Sequence, residues 1–178
     1  MMSSVADFPS ASFFFSPENA FTAGTVELTA SPATTVFTFA NMAPGDEDYK
    51  EITVSNAGTL ALRYAVTSVA TNVDTKDLMG QITMTIKSGV TTCTGAVGFN
   101  ADGAVIYDKG VLGSAGPDGA KVIGDPATGQ QTGDRPLAAS ANEKLCVYVK
   151  LPLATADAFQ GATTTATFNF AAEQTKNN

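Results

Sequence analysis

The sequence predicts an all-β protein, a jelly-roll or Ig-like two-sheet β-sandwich. Three observations point there. Thr and Val recur throughout, and both are stiff at χ1 and suit a pleated strand better than a helix. Sixteen glycines and eight prolines punctuate the chain at the spacing of many short strands joined by turns. Between these breaks, apolar residues alternate with a period of two.

The elements follow in order. Residues 1–19 stand apart as an apolar extension carrying Val5, Phe8, Phe13, Phe14 and Phe15, interrupted by Pro9 and Pro17. Proline is tolerated at strand edges and starts, so this segment reads as an edge strand that must be buried somewhere. From residue 20 to 178 the pattern is that of one domain. Val26 and Leu28 share a face, as do Phe37 and Phe39. The Pro44-Gly45 pair marks a turn. Ile52 and Val54 point inward on the next strand, and Leu60, Leu62, Tyr64 and Val66 on the one after, with Arg63 opposite and within reach of Glu51 or Glu27. Ile82, Met84 and Ile86 alternate with polar residues. Val147 and Val149 lie on a strand that starts at Leu145, and Phe168 and Phe170 lie on the last strand. These apolar residues are the predicted core. Residues 98–142, rich in Gly, Ala, Asp and Pro, read as a long surface insertion with one hairpin.

Composition removes several functions. The chain has no histidine, which excludes Ser-His-Asp triads, Cys-His dyads and the H-E-x-x-H zinc site together. Net charge is −7, which repels phosphate backbones and argues against nucleic-acid binding. No apolar stretch approaches the ~20 residues of a membrane-spanning helix. The start of the chain shows no secretory signal, lacking both a basic and an apolar region. Cys93 and Cys146 are the two cysteines; in an exported chain such a pair reads as one disulfide, the alternative being two buried thiols.

Other candidate residues have plainer roles. Asp46-Glu47-Asp48 and the scattered Asp102, Asp108, Asp118, Asp125 and Asp134 suit Ca²⁺ in ligand type but not in spacing. Asp74, Asp77 and Asp157 could serve as an acid/base pair only if the fold brought them together. An isopeptide bond between Lys50 and Asn56 would need a buried acid beside them. The threonines of 154–166 are strand formers first and glycan acceptors second.

Four segments carry a resemblance. They are Asn19-Ala-Phe-Thr-Ala-Gly-Thr-Val-Glu-Leu28, Ala40-Asn-Met-Ala-Pro-Gly-Asp46, Ile52-Thr-Val-Ser-Asn-Ala-Gly-Thr-Leu-Ala-Leu-Arg-Tyr64, and Ala158-Phe-Gln-Gly-Ala162 followed by Ala166-Thr-Phe-Asn-Phe-Ala-Ala-Glu-Gln174. In that order the chain resembles the TasA/camelysin family of exported proteins, over about residues 12–71 and 143–174. The resemblance implies a jelly-roll sandwich, secretion to the cell surface, and assembly into extracellular biofilm-matrix fibres or pilus-like filaments. In such fibres the N-terminal strand of one subunit completes the sheet of the next. The expected role is therefore a structural homopolymer with no catalysis and no cofactor, with a minor anchoring or capping subunit as a further partner. Val5, Phe8, Phe13, Phe14 and Phe15 are the expected donor-strand residues, the alternative being that residues 3–15 fold back as the first strand of their own domain. A monomeric surface adhesin is the alternative. A secreted metallopeptidase, a label that some family members carry, is disfavoured by the missing histidines.

Overall fold

The computed structural model describes residues 23–33 and 37–176. The chain forms two antiparallel sheets packed face to face, the predicted β-sandwich. The first sheet contains β1 (Leu28–Ser31), β3 (Glu47–Asn56), β9 (Asn142–Lys150), β5 (Thr83–Ser88) and β6 (Ala104–Val111), in the spatial order β1-β3-β9-β5-β6. The second contains β2 (Phe37–Ala40), β10 (Thr163–Gln174), β4 (Leu62–Ala70) and β7 (Ala120–Ile123), in the order β2-β10-β4-β7. A short β8 (Arg135–Leu137) also pairs with β4, end to end with β7.

Alternation builds the core as the sequence predicts. Phe37, Ile52, Val54, Leu62, Tyr64, Val66, Met84, Ile86, Val147 and Val149 are buried between the sheets. Burying each large apolar side chain is worth roughly 1.5–3 kcal/mol, so the facing pairs hold the layers together. Four predicted core residues depart from this. Val26 is exposed and lies just outside β1, while Leu28, Leu60 and Phe170 are only half-buried. Phe170 lies on the open stretch of β10 described below.

Residues 98–142 are not the loop that their composition suggested. They supply β6 to one sheet and β7 and β8 to the other, and they send Leu112, Val122, Ile123 and Leu137 into the core. The buried apolar residues here come singly, as Leu112 and Leu137, or as the adjacent pair Val122-Ile123, so they leave no alternating pattern. A helix, α1 (Gly95–Ala101), spans the start of this stretch. Phe99 of α1 packs with Val90, Cys93 and Cys146 into a second small core, against which Tyr49 and Tyr148 are seated. Cys93 and Cys146 are joined in a disulfide across 53 residues.

The turn after β3 shows how local sequence fixes a crossing. Asn56 is buried, and its amide donates to the carbonyls of Leu60, Leu137 and Ala138 at 2.8, 3.2 and 3.0 Å. Its side-chain oxygen accepts from the Gly58 N–H at 3.0 Å. A Cβ on Gly58 would stand 2.3 Å from the Thr25 carbonyl oxygen, so only glycine allows the incoming chain this close. Asn56 is thus a backbone organiser and no isopeptide partner of Lys50, whose ammonium sits 3.3 Å from Asp48.

Several carboxylates tie loops to strands. Asp74 accepts from the Thr163 N–H at 2.8 Å, Asp102 from the Thr91 hydroxyl, and Glu173 from the Gly129 N–H at 3.1 Å. Those donors, together with Lys121 beside Asp125, hold the four acids below their ordinary values of 3.8 for aspartate and 4.5 for glutamate. A group whose folded pKa is depressed stabilises the fold above its unfolded value, and the benefit disappears as pH falls through the folded value. The melting temperature is therefore expected to hold from neutrality down to about 4.5 and to drop below 3.8. A thermal melt across that range checks it, and Asp102→Asn should remove part of the drop.

Candidate functional site

The candidate site is an open sheet edge. β10 runs twelve residues, and β4 pairs with it along Ala166–Gln174. On its other side β2 covers only Thr163–Ala166. From Thr167 to Ala172 that side has no strand partner among the described residues. Such an edge presents unpaired N–H and C=O groups, a template for another strand.

Burial along the inward face of β10 follows this gap. Thr164 and Ala166 are 1% and 0% exposed, Phe168 is 8% exposed, Phe170 is half-buried and Ala172 is exposed. The core thus opens progressively where β2 stops. Phe170 still touches Tyr64, with ring centroids 6.3 Å apart, and among the described residues no strand lies beside it on the free side. The stretch Thr167-Phe168-Asn169-Phe170-Ala171-Ala172 carries no charge to deter pairing.

Two other open stretches are guarded. β1 covers only Thr53–Asn56 of β3, but the uncovered part carries Glu47, Asp48, Lys50 and Glu51. There the Tyr49 N–H donates to the Asp48 carboxylate at 2.8 Å rather than to a strand. On the far flank, β6 is broken by register shifts against β5, carries Lys109 at a φ of 46°, and lies against β7. Bulges and lysines of this kind are how edges avoid unwanted partners.

The remaining sequence candidates are spent on structure. Val5, Phe8, Phe13, Phe14 and Phe15, and the whole 1–19 extension, lie outside the described residues. Asp46 closes its turn by accepting from the Ala43 N–H at 2.7 Å, and Glu47 accepts from the Tyr49 and Tyr148 hydroxyls at 2.9 and 3.0 Å. Burial first and the Glu47 bond second push the Tyr148 hydroxyl up to about 12, and they push Tyr49 further in the same direction. Asp125 and Asp134 bind backbone N–H groups of their own loop, while Asp108 and Asp118 are exposed. Asp74 is occupied by N–H groups, and Asp157 faces the Gln160 amide at 3.4 Å. Arg63 pairs with Glu173 at 2.5 Å, not with Glu51 or Glu27, because β10 is its neighbour in the sheet. Glu51 pairs instead with Lys144 at 3.1 Å. The Thr164 hydroxyl is buried on the Thr71 carbonyl, out of reach of a glycan.

Comparison with known proteins agrees with the four segments. The family model described as camelysin metallo-endopeptidase matches residues 12–178. The chain belongs to the camelysin family. The TasA/camelysin resemblance is thereby shown, and with it a family of extracellular or cell-surface proteins. No curated protein matches the chain. Among solved structures, a PapD-like (ASH) domain of human CEP192 is similar at 15% identity, covering 96% of this chain and 86% of that one, with a TM-score of 0.36. That score is too low to bear on fold or function.

The description of the family raises the question of a metal. The residues of this camelysin-family chain do not fit a peptidase metal centre. Its sequence has no histidine, both cysteines are in a disulfide, and the described residues bring no three His, Cys, Asp or Glu side chains together. No helix among them is long and apolar enough to cross a membrane.

Proposed function

We propose that the protein is a structural subunit of an extracellular filament or matrix fibre. Copies join head to tail, the leading arm of one lying along Thr167–Ala172 of β10 in the next. The observation that carries this reading is the fading burial along β10, from Ala166 at 0% exposed to half-buried Phe170 beside an uncharged edge. An added strand satisfies the edge N–H and C=O groups, while its alternate side chains cover the exposed part of the core. Val5, Phe8, Phe13 and Phe15 are the arm's apolar side chains for that purpose, with Phe14 on its opposite face. A contact between two different surfaces does not close on itself, so it propagates as a filament. The role needs no cofactor. The partners are further copies and a minor subunit that anchors or caps the fibre.

The family's description supports a second reading, a secreted peptidase, against which the missing histidines weigh. A monomeric adhesin is the third. Electron micrographs of the purified chain, with a casein-cleavage assay run beside them, separate the three. Fibres that resist SDS and no cleavage are expected. A chain that stays monomeric at high concentration, or chelator-sensitive cleavage, would overturn the filament reading.

A further inference from the structure

The chain has four tyrosines, and the fold brings two of them together. Tyr49 of β3 and Tyr148 of β9 face each other across the ladder, with ring centroids 4.9 Å apart and planes tilted by 31°. Both stand on the outer face of the first sheet, opposite the buried Val147 and Val149. Phe99 of α1 touches both rings, 5.3 Å from Tyr148 and 5.7 Å from Tyr49. Neither tyrosine can turn away without giving up two aromatic contacts.

Their hydroxyls converge as well. Glu47 accepts from the Tyr49 hydroxyl through one carboxylate oxygen at 2.9 Å and from the Tyr148 hydroxyl through the other at 3.0 Å. Glu47 is exposed and both rings are half-buried, so a small oxidant reaches the pair from solvent. The other two tyrosines are placed differently. Tyr64 is 1% exposed with its hydroxyl on Glu143, and the Tyr107 hydroxyl donates to the Val111 carbonyl. Packing alone asks only for ring contact. Two phenols on one carboxylate add a proton acceptor at the point where an oxidised phenol releases its proton.

We propose that Tyr49 and Tyr148 are a cross-linking site, joined ring to ring as dityrosine when a peroxide and a one-electron oxidant of the haem-peroxidase class act on the protein. Each phenol gives one electron to the oxidant and its proton to Glu47, which passes the proton to water. The two phenoxyl radicals form a carbon–carbon bond between positions ortho to their oxygens. Each ring then transfers its displaced ortho hydrogen to oxygen and is a phenol again. One peroxide takes up the two electrons and two protons and leaves as two waters, so the chain loses two hydrogens. Burial and the Glu47 bonds keep both hydroxyls protonated at neutral pH, which is why an acceptor beside them matters. Holding the rings in contact turns an encounter between two molecules into a step within one. The new bond ties β3 to β9, the strand that also carries Cys146 of the disulfide, and no thiol reductant opens it. It does not rest on the filament reading, since a monomer couples as readily as a fibre.

The test treats the full chain with hydrogen peroxide and a haem peroxidase, then reduces the disulfide, digests the chain and reads the peptides by mass spectrometry. A peptide carrying Tyr49 joined to one carrying Tyr148, lighter than their sum by two hydrogens and showing dityrosine fluorescence, is expected. An equal mixture of ordinary and isotope-labelled chains should give linked peptides that are wholly light or wholly heavy. Tyr49→Phe and Tyr148→Phe each keep the ring and should abolish the link, while Tyr107→Phe should leave it intact. Should one of the first two fail to fold, the other decides. Glu47→Gln should slow coupling about tenfold, and added acetate should restore the rate, a response that a packing role would not give. No linked peptide, pairs of mixed label, a link through Tyr64 or Tyr107, or an unchanged rate in Glu47→Gln would overturn the proposal and leave the filament reading where it stands.

Discussion

Removal of residues 1–15 should leave a folded, soluble monomer that forms no fibres. The fold is expected to survive because the core of the described residues runs from Phe37 to Phe168 and lies between the two sheets without the arm. Polymerisation is expected to fail for an energetic reason. Val5, Phe8, Phe13 and Phe15 together contribute roughly 6–12 kcal/mol on full burial. Association costs an estimated ~4–15 kcal/mol in lost freedom, so without the arm little is left to oppose that cost. Thirteen residues of extended arm also reach at most about 45 Å, enough to cross a subunit contact. Size-exclusion chromatography and negative-stain micrographs of the shortened chain are the measurement. A single monomer peak without fibres is the expected result. Fibres that persist would dismiss the arm as the linker. A shortened chain that unfolds would place the arm within its own sandwich, and that too would end the proposal.

Loss of the disulfide is the second large effect. The bridge closes a loop across 53 residues, for which the chain-entropy model gives about 4 kcal/mol. Replacing both cysteines with alanine also removes Cys93 and Cys146 from the small core they share with Val90 and Phe99. For a chain of this length, each kcal/mol moves the melting temperature by about 2–4 °C, so a fall of about 8–16 °C is expected. Calorimetry of the double variant measures it. Hydrogen exchange should rise first around α1, which the bridge pins to β9, and only later in β4 and β10. A melting temperature unchanged by substitution would refute the stabilising role.

The parts of the fold that could be read from the sequence are those where burial repeats. Ile82-Thr-Met84-Thr-Ile86 and Leu145-Cys-Val147-Tyr-Val149 each bury one face of a strand, and period two shows directly which residues are inside. β6, β7 and β8 could not be read this way. Val105 and Val111 are half exposed, and Leu112 and Leu137 are buried singly, so no repeat exists to detect. Gly95 and Gly98 disguise α1, and of its apolar residues only Phe99 is buried, while Val97 is exposed. The open stretch of β10 was hidden for a different reason. Which residues of a strand lack a neighbour depends on where β2 ends relative to it, a long-range register that no local pattern records. Arg63 is the same case, since its partner 110 residues away is set by the β4–β10 pairing.

The kinked flank formed by β6 and β7 has a bearing on material properties. With Lys109 and its register breaks, that side is a poor seed for further ribbons, whereas the opposite side invites one. In the proposed filament, growth would be confined to a single axis, and neighbouring threads would lie close together in a mat without fusing into plaque.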